Sequence, residues 1–262
     1  MAEAQENLKN EGVHLMYKNL GETPNKTILR FKAENPEFND VKMTYAGRLD
    51  PMAEGLLLVL AGDKVHEKDK YLGLSKVYEF EILWGVETDT LDVLGKVTHT
   101  NNVDISEEEI VKKISESQGK ILQKYPAYSS KPVNGKPLFE WAREGKMDEV
   151  EVPTHEVEIR DIKYLSRRMM KGEKLLQDMC SKISLVKGDF RQQEIKDVWK
   201  DFLETENKKD FFVDKISVNV SSGFYIRQFI SDFASDLGTY GIAFHIKRVK
   251  IGDFEIELSA YL

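Results

Sequence analysis

Tyr45-Ala46-Gly47-Arg48-Leu49-Asp50-Pro51-Met52-Ala53-Glu54-Gly55-Leu56-Leu57-Leu58-Val59-Leu60 begins as a polar turn and ends as an apolar run. Gly47 and Gly55 bracket the turn, and glycine tolerates backbone geometry that other residues resist. The run from Leu56 to Leu60 is short and is punctuated by Gly62, which suits a buried strand. Asp50 is therefore expected on a rigid loop anchored in the core, where catalytic groups are often held. The competing reading makes Asp50 only a turn cap, since Asp-Pro is ordinary turn chemistry.

Upstream, Gly12 to Lys18 reads as a strand and Leu20-Gly21-Glu22 as a turn. Thr23 followed by Pro24 marks an N-cap and first helical position, with a helix to about Ala33 and Ile28 and Phe31 turned inward. Residues 1–11 are polar and resemble neither a signal nor a transit peptide, so they read as a flexible tail.

Downstream, Lys76 to Trp84 alternates like a strand. Tyr78, Phe80, Ile82 and Trp84 share one face, and Glu79 and Glu81 the other. Gly85 to Gly95 is a loop. Ser106 to Glu109 forms a capping box, with Ile105 and Ile110 placed as a hydrophobic staple for a helix ending near Gly119. Tyr125 to Lys136 is a loop, Leu138 to Arg143 a short helix, and Val157 to Leu165 a strand.

From about 166 to 210 the chain changes character. It is highly charged, and Leu175, Leu176, Met179, Cys180, Ile183 and Val186 recur at helical spacing. With a second helix over Gln192 to Thr205, this reads as an inserted helical hairpin. Its apolar stripe is packing surface or, alternatively, a partner groove. Arg167, Arg168, Lys171 and Lys174 read as a solvated basic face or as phosphate contacts. Then come a strand at Ile216 to Val220, a break at Ser221-Ser222-Gly223, a helix from about Tyr225 to near Gly238, and closing strands at His245–Val249 and Gly252–Leu258. Strand-rich order with irregular helices indicates an α+β fold with a mixed, mainly antiparallel central sheet and flanking helices.

Composition excludes several classes. The chain has 262 residues, enough for one substantial core, with a net charge of −7 and one cysteine, Cys180. No intrachain disulfide can form, which fits a reducing cytoplasm. No apolar stretch approaches membrane-span length. His14, His66, His99, His155 and His245 are scattered without metal-ligand spacing, so no metal site is expected. The acidic balance weighs against a nonspecific nucleic-acid coat but permits a local basic face.

The chain resembles the TruB family of pseudouridine synthases. Five ordered motifs between about Gly12 and Phe254 carry the resemblance. They are Lys18-x-x-Gly21-x-Thr23; Gly47-x-Leu49-Asp50-Pro51-x-Ala53-x-Gly55; Lys76-x-Tyr78 with Gly85-x-x-Thr88-Asp89-Thr90-x-Asp92-x-x-Gly95; Tyr128-Ser129 through Asn134-Gly135-Lys136-Pro137-Leu138; and Ser222-Gly223-x-Tyr225-Ile226-Arg227 with Asp236-Leu237-Gly238 and Lys247-Arg248. Asn19 stands where the family usually has proline. Tyr45 stands where bacterial members usually have a histidine that aids T-loop opening.

The resemblance implies a pseudouridine synthase fold over 12–262, with a helical insertion at about 166–210 and no PUA-type domain. It implies isomerisation of a uridine in RNA, typically in the T-loop of tRNA, without metal or cofactor. Asp50 would be the catalytic carboxylate, Tyr78 the stacking tyrosine, Arg227 the arginine partner and Ile246 an apolar residue near the base. Read from its strand alone, Tyr78 is a core aromatic, since Phe80 and Trp84 share its face. Tyr45 and Tyr225 are further substrate-side candidates. Candidate RNA contacts are Lys18, Arg48, Lys131, Lys136, Arg143, Lys247 and Arg248. A monomer is expected, and the insertion leaves open a contact with an unidentified protein. Alternative functions are an rRNA synthase of the RsuA or RluA type and a non-catalytic tRNA chaperone.

Overall fold

Alternating apolar residues build one large sheet. The computed structural model describes residues 12–102, 105–206 and 210–255; the tail and residues 256–258 of the expected last strand lie outside them. Strands β1 (Gly12–Lys18), β2 (Met43–Tyr45), β3 (Ala53–Ala61) and β4 (Lys76–Trp84) precede a small pair, β5 (Val86–Thr88) and β6 (Val97–Thr100). Then follow β7 (Gly119–Lys124), the short pair β8 (Pro132–Val133) and β9 (Lys136–Pro137), β10 (Thr154–Lys171), β11 (Asp210–Val220), β12 (Gly241–Ile251) and β13 (Phe254–Glu255). The main sheet has the order β1-β3-β12-β4-β11-β10-β7, with β2 on β3 and β13 on β12. Its described pairings are antiparallel except β12 with β3, as expected for a mixed, mainly antiparallel α+β fold.

The helices are α1 (Pro24–Glu34), α2 (Lys68–Leu72), α3 (Glu107–Glu116), α4 (Leu138–Arg143), α5 (Gly172–Leu185), α6 (Gln192–Thr205) and α7 (Ile226–Asp236). Thr23 caps α1 by accepting from Lys26 N at 3.3 Å. The Ser106–Glu109 box starts α3 with both reciprocal bonds formed. On one face of the sheet, Tyr78, Phe80, Ile82 and Trp84 pack with Phe229, Ile230 and Phe233 of α7 and Ile110 and Ile114 of α3. Full burial of each such apolar side chain contributes about 1.5–3 kcal/mol. This layer fixes the strand-to-helix junction that carries Arg227.

The segment after residue 165 departs from expectation at both ends. β10 continues to Lys171 and β11 starts at Asp210, so helix occupies only Gly172–Leu185 and Gln192–Thr205. Alternating charges concealed the extension, because each pairs across strands. Arg167 forms two 2.9 Å bonds with fully buried Asp214, which also accepts from Trp84 Nε1 at 2.7 Å. Arg168, on the other face, grips Glu81 at 2.5 and 2.9 Å. Lys171 pairs with Asp210 and Lys174 with Asp178, both at 2.7 Å. The basic cluster is thus dispersed and internally neutralised. The apolar stripe is core: Leu175, Met179, Ile183 and Val186 pack with Ile195, Trp199, Leu83, Val213 and Phe244.

Candidate active site

The loop at 47–55 is held from beneath. Gly47 and Gly55 both have positive φ, +93° and +110°. A Cβ at Gly55 would lie 2.3 Å from the Arg248 carbonyl oxygen, so close backbone approach and left-handed geometry both require glycine here. Arg248 Nε donates to Leu56 O at 2.8 Å, and its Nη1 to Arg48 O at 3.2 Å. Lys18 Nζ donates to Ala53 O at 2.5 Å and Asn19 O at 3.1 Å. Gly21 N reaches Pro51 O at 2.8 Å. Two buried cations therefore bind the carbonyls of the loop that presents Asp50.

Against the expectation of surface RNA contacts, Lys18 and Arg248 are 0% and 1% exposed, and both bond backbone oxygens of the loop. Burial lowers the Lys18 pKa to about 8, against the pull of Asp50, Glu22 and Glu54. Lys76 is also buried, its pKa lowered to about 8 by burial and by Arg248, while it donates to Leu72 O and Leu74 O at 2.7 and 2.6 Å.

Above the loop lies a cleft of about 680 Å³. Asp50, Tyr78, Arg227, Tyr45, Arg48, Tyr225 and Ile246 all line it, as does the end of Arg248. Arg227 is the electrostatic centre. Its Nε donates to Asp50 Oδ2 at 2.8 Å, Nη1 to Thr90 O at 2.7 Å and Nη2 to Tyr128 O at 3.1 Å. Asp92 Oδ2 is 3.8 Å from the same Nε. Burial works against the Arg227 charge, but Asp50 and Asp92 outweigh it and raise its pKa. Asp50, with its side chain 39% exposed, remains open to the cleft.

Asp92 is buried, and burial pushes its carboxyl up to about 6 despite Arg227. Its Oδ1 accepts from Thr90 Oγ1 at 2.8 Å and Leu94 N at 2.9 Å. Between them Leu91 adopts φ 62°, and its carbonyl receives Ala243 N from β12 at 3.1 Å. A left-handed leucine is costly, and such strain collects where surrounding structure fixes a functional geometry. Here it lets Thr90 O and the Asp92 carboxylate address one guanidinium.

A second support holds the start of α7. Gln123, fully buried in β7, accepts from Tyr225 N at 2.8 Å and donates to Tyr225 O at 3.1 Å. The Tyr225 ring meets Tyr125 edge-on at 5.6 Å, and Tyr125 stacks on His155 at 4.1 Å. Burial, with Asp50 and Tyr125 nearby, pushes the Tyr225 hydroxyl up to about 12, so it stays protonated at neutral pH.

The remaining candidates separate by position. Arg48 and Arg143 are exposed and line the cleft. Tyr45 lines it from β2, with Lys68 Nζ 5.6 Å from its ring. Lys131 stands 4.8 Å over the Tyr125 ring, outside the lining. Lys136 is also outside, bound to Glu144 at 2.5 Å and over the Trp141 ring at 4.3 Å. Lys247 Nζ lies 5.8 Å from the Tyr17 ring. Sequence reading did not single out Asp92, Gln123, Tyr128 or Arg191 as site residues. Asp92 and Tyr128 stood within quoted motifs; Gln123 and Arg191 gave no signal.

A family model described as "TruB family pseudouridylate synthase (N terminal domain)" matches residues 35–186. A protein of Aquifex aeolicus (strain VF5) named tRNA pseudouridine synthase B is 26% identical over 247 residues, covering 94% of this chain and 70% of that protein. The protein of that name in Syntrophobacter fumaroxidans (strain DSM 10017 / MPOB) is 30% identical over 222 residues, covering 84% and 58%. One in Malacoplasma penetrans (strain HF-2) is 28% identical over 217 residues, covering 82% and 75%. A chain in the crystal structure of a Cbf5-Nop10-Gar1 complex aligns with TM-score 0.59 at 17% identity, over 97% of this chain and 52% of its own. At that identity the likeness shows a shared fold.

Proposed function

Since the chain belongs to the TruB family of pseudouridylate synthases, we propose that it isomerises a uridine in tRNA, at position 55 of the T-loop, to pseudouridine. The observation that carries this reading is the 2.8 Å pairing of Asp50 with buried Arg227 in a cleft lined by Tyr78 and Ile246. A stacked base is inaccessible, so the target must flip into this cleft at a cost of a few kcal/mol. Stacking against an aromatic ring such as Tyr78 returns about 1–3 kcal/mol.

Arg227 orients one oxygen of Asp50 through its 2.8 Å bond. The other oxygen has no hydrogen-bond partner among the described residues. It acts as nucleophile at C1′ or as a base beside it. By either route the N1–C1′ bond breaks, the base turns, and C5 bonds to C1′. The C5 proton leaves and N1 gains one, so the reaction is redox-neutral and asks for no cofactor. Tyr78, in the cleft lining, steers the ring. Arg48 and Arg143 supply phosphate contacts at the mouth. The enzyme works as a monomer in the cytoplasm.

The test is to incubate wild type and Asp50→Ala with unmodified tRNA and rRNA fragments, then map pseudouridine. Product at position 55 from wild type alone is expected. Product on rRNA alone would move the substrate, and no product on any RNA would favour the chaperone reading.

A further inference from the structure

The hairpin α5–α6 delivers its tip to the catalytic cleft. Phe190 and Arg191 line it together with Asp50, Tyr78 and Arg227. Its placement is firm. Trp199 Nε1 of α6 donates to Gly95 O at 2.9 Å, on the loop that supplies Thr90 and Asp92. Lys26 Nζ of α1 donates to Lys187 O at 2.8 Å. Gln192 Nε2 closes the turn onto Val186 O and Gly188 O at 3.1 and 2.7 Å. Gly21 lies so close under the hairpin that a Cβ there would be 2.6 Å from the Leu185 backbone. The tip is thus braced against the N-terminal turn on one side and the Thr88–Gly95 loop on the other.

Arg191 is an unusual choice for its position. It is the N-cap of α6 in a left-handed conformation, φ 60°, and its side chain makes no cap bond. Glycine, asparagine, aspartate or serine would sit there more easily. The side chain instead enters the cleft. Nη1 donates to Asp89 Oδ2 at 2.7 Å, and the guanidinium lies 5.2 Å from the Tyr128 ring. Tyr128 OH donates to the same Asp89 oxygen at 3.3 Å. The Arg191 and Asp89 side chains are 28% and 24% exposed. A single hydrogen-bonded ion pair to Asp89 does not by itself require arginine at a left-handed N-cap position. A guanidinium has five N–H donors in a rigid fork, and Asp89 takes one of them. The rest remain at the mouth, beside Arg48 and Arg143 on the same cleft.

We propose that Arg191 is a substrate-contacting residue that binds an RNA backbone phosphate next to the nucleotide received by Asp50, so that the hairpin forms one wall of the substrate site. This rests on the cleft being the uridine site. A flipped nucleotide carries its flanking phosphates to the mouth, and an arginine already oriented by Asp89 and Tyr128 meets a phosphate fork to fork.

Arg191→Gly removes the guanidinium and relieves the left-handed backbone, so the variant should melt no lower than wild type. Its affinity for an unmodified tRNA transcript should fall about tenfold, and the slope of log affinity against log salt should become shallower by about 0.7–0.9, the loss of one phosphate contact. Arg191→Lys should keep the slope. Unchanged affinity and slope in Arg191→Gly would overturn the proposal. So would a rate loss at saturating RNA with affinity intact, which would make Arg191 a positioning residue acting through Tyr128. Failure of wild type to form pseudouridine on any RNA would instead count against the function proposed above, while the binding titration would still decide Arg191.

Discussion

Asp50 and Arg227 are 177 residues apart in the chain and 2.8 Å apart at their facing atoms. The arginine is buried to 3% side-chain exposure while the aspartate reaches the cleft at 39%. The cation is thus part of the scaffold and the anion part of the cleft surface. This asymmetry holds Asp50 from the scaffold side while leaving it open to the cleft.

Removing Arg227 should therefore damage both stability and turnover. Arg227→Met strands buried Asp92 without its counter-charge, a loss of about 3–5 kcal/mol. Adding Asp92→Asn should recover most of that stability in denaturant melts. The single-turnover rate should stay at least about 100-fold down in both variants, as for loss of an oriented electrostatic group. Strictly additive destabilisation would contradict a shared network.

Asp92 gives the site a pH dependence. Its carboxyl is raised from 3.8 to about 6 by burial. Between about pH 4 and 6 the native state holds a proton that the unfolded chain has released, so this group's contribution to stability falls as pH rises through that window and is level above it. An ionised Asp92 also takes a share of the Arg227 charge and leaves Asp50 the stronger nucleophile or base. The single-turnover rate should rise through about pH 6 in wild type and be flatter there in Asp92→Asn.

Lys18 and Arg48 should behave as opposites. Lys18→Met removes the buried donor to the Ala53 carbonyl and should cost about 1–3 kcal/mol of stability, with no change in the salt dependence of RNA binding. Arg248→Met should follow it. Arg48→Ala should leave the melting temperature near wild type and make the salt slope shallower by about 0.7–0.9.

Gly55→Ala should report how firmly the loop is seated. The new Cβ would meet Arg248 O at 2.3 Å with φ at +110°. We expect a loss of about 1–3 kcal/mol in unfolding free energy, with slower turnover as Asp50 shifts. A variant of wild-type stability would mean that β3 and β12 can part at no cost.

Local patterns foretold local structure. The Thr23 cap, the Ser106 box and the apolar face of β4 are each written within a few residues, and each forms. The fates of Lys18 and Arg248 were not legible. A lysine ending a strand looks the same whether it meets water or a carbonyl 35 residues away. Arg248 answers to Leu56 O across 192 residues. Arg167 was misread for the same reason, since its partner Asp214 is 47 positions on. The long strands β10 and β11 were obscured because paired charges mimic a solvated helix face. Asp92 was visible as a motif letter, but its raised pKa comes from burial, which only the fold creates.

The sole parallel strand pairing of the main sheet among the described residues has a temporal meaning. β12 slots between β3 and β4, placing Arg248 opposite Gly55 and Ile246 opposite Ala53. Until that late segment is synthesised and inserted, β3 lacks one neighbour, and the Asp50 loop lacks the guanidinium beneath it. A nascent chain emerging from the ribosome can form β1 against β3 early, because those contacts are near in sequence. It cannot organise its cleft until almost all of the chain described here has emerged. The loop's support is therefore completed late in the chain, which makes insertion of β12 the event to watch in a refolding experiment.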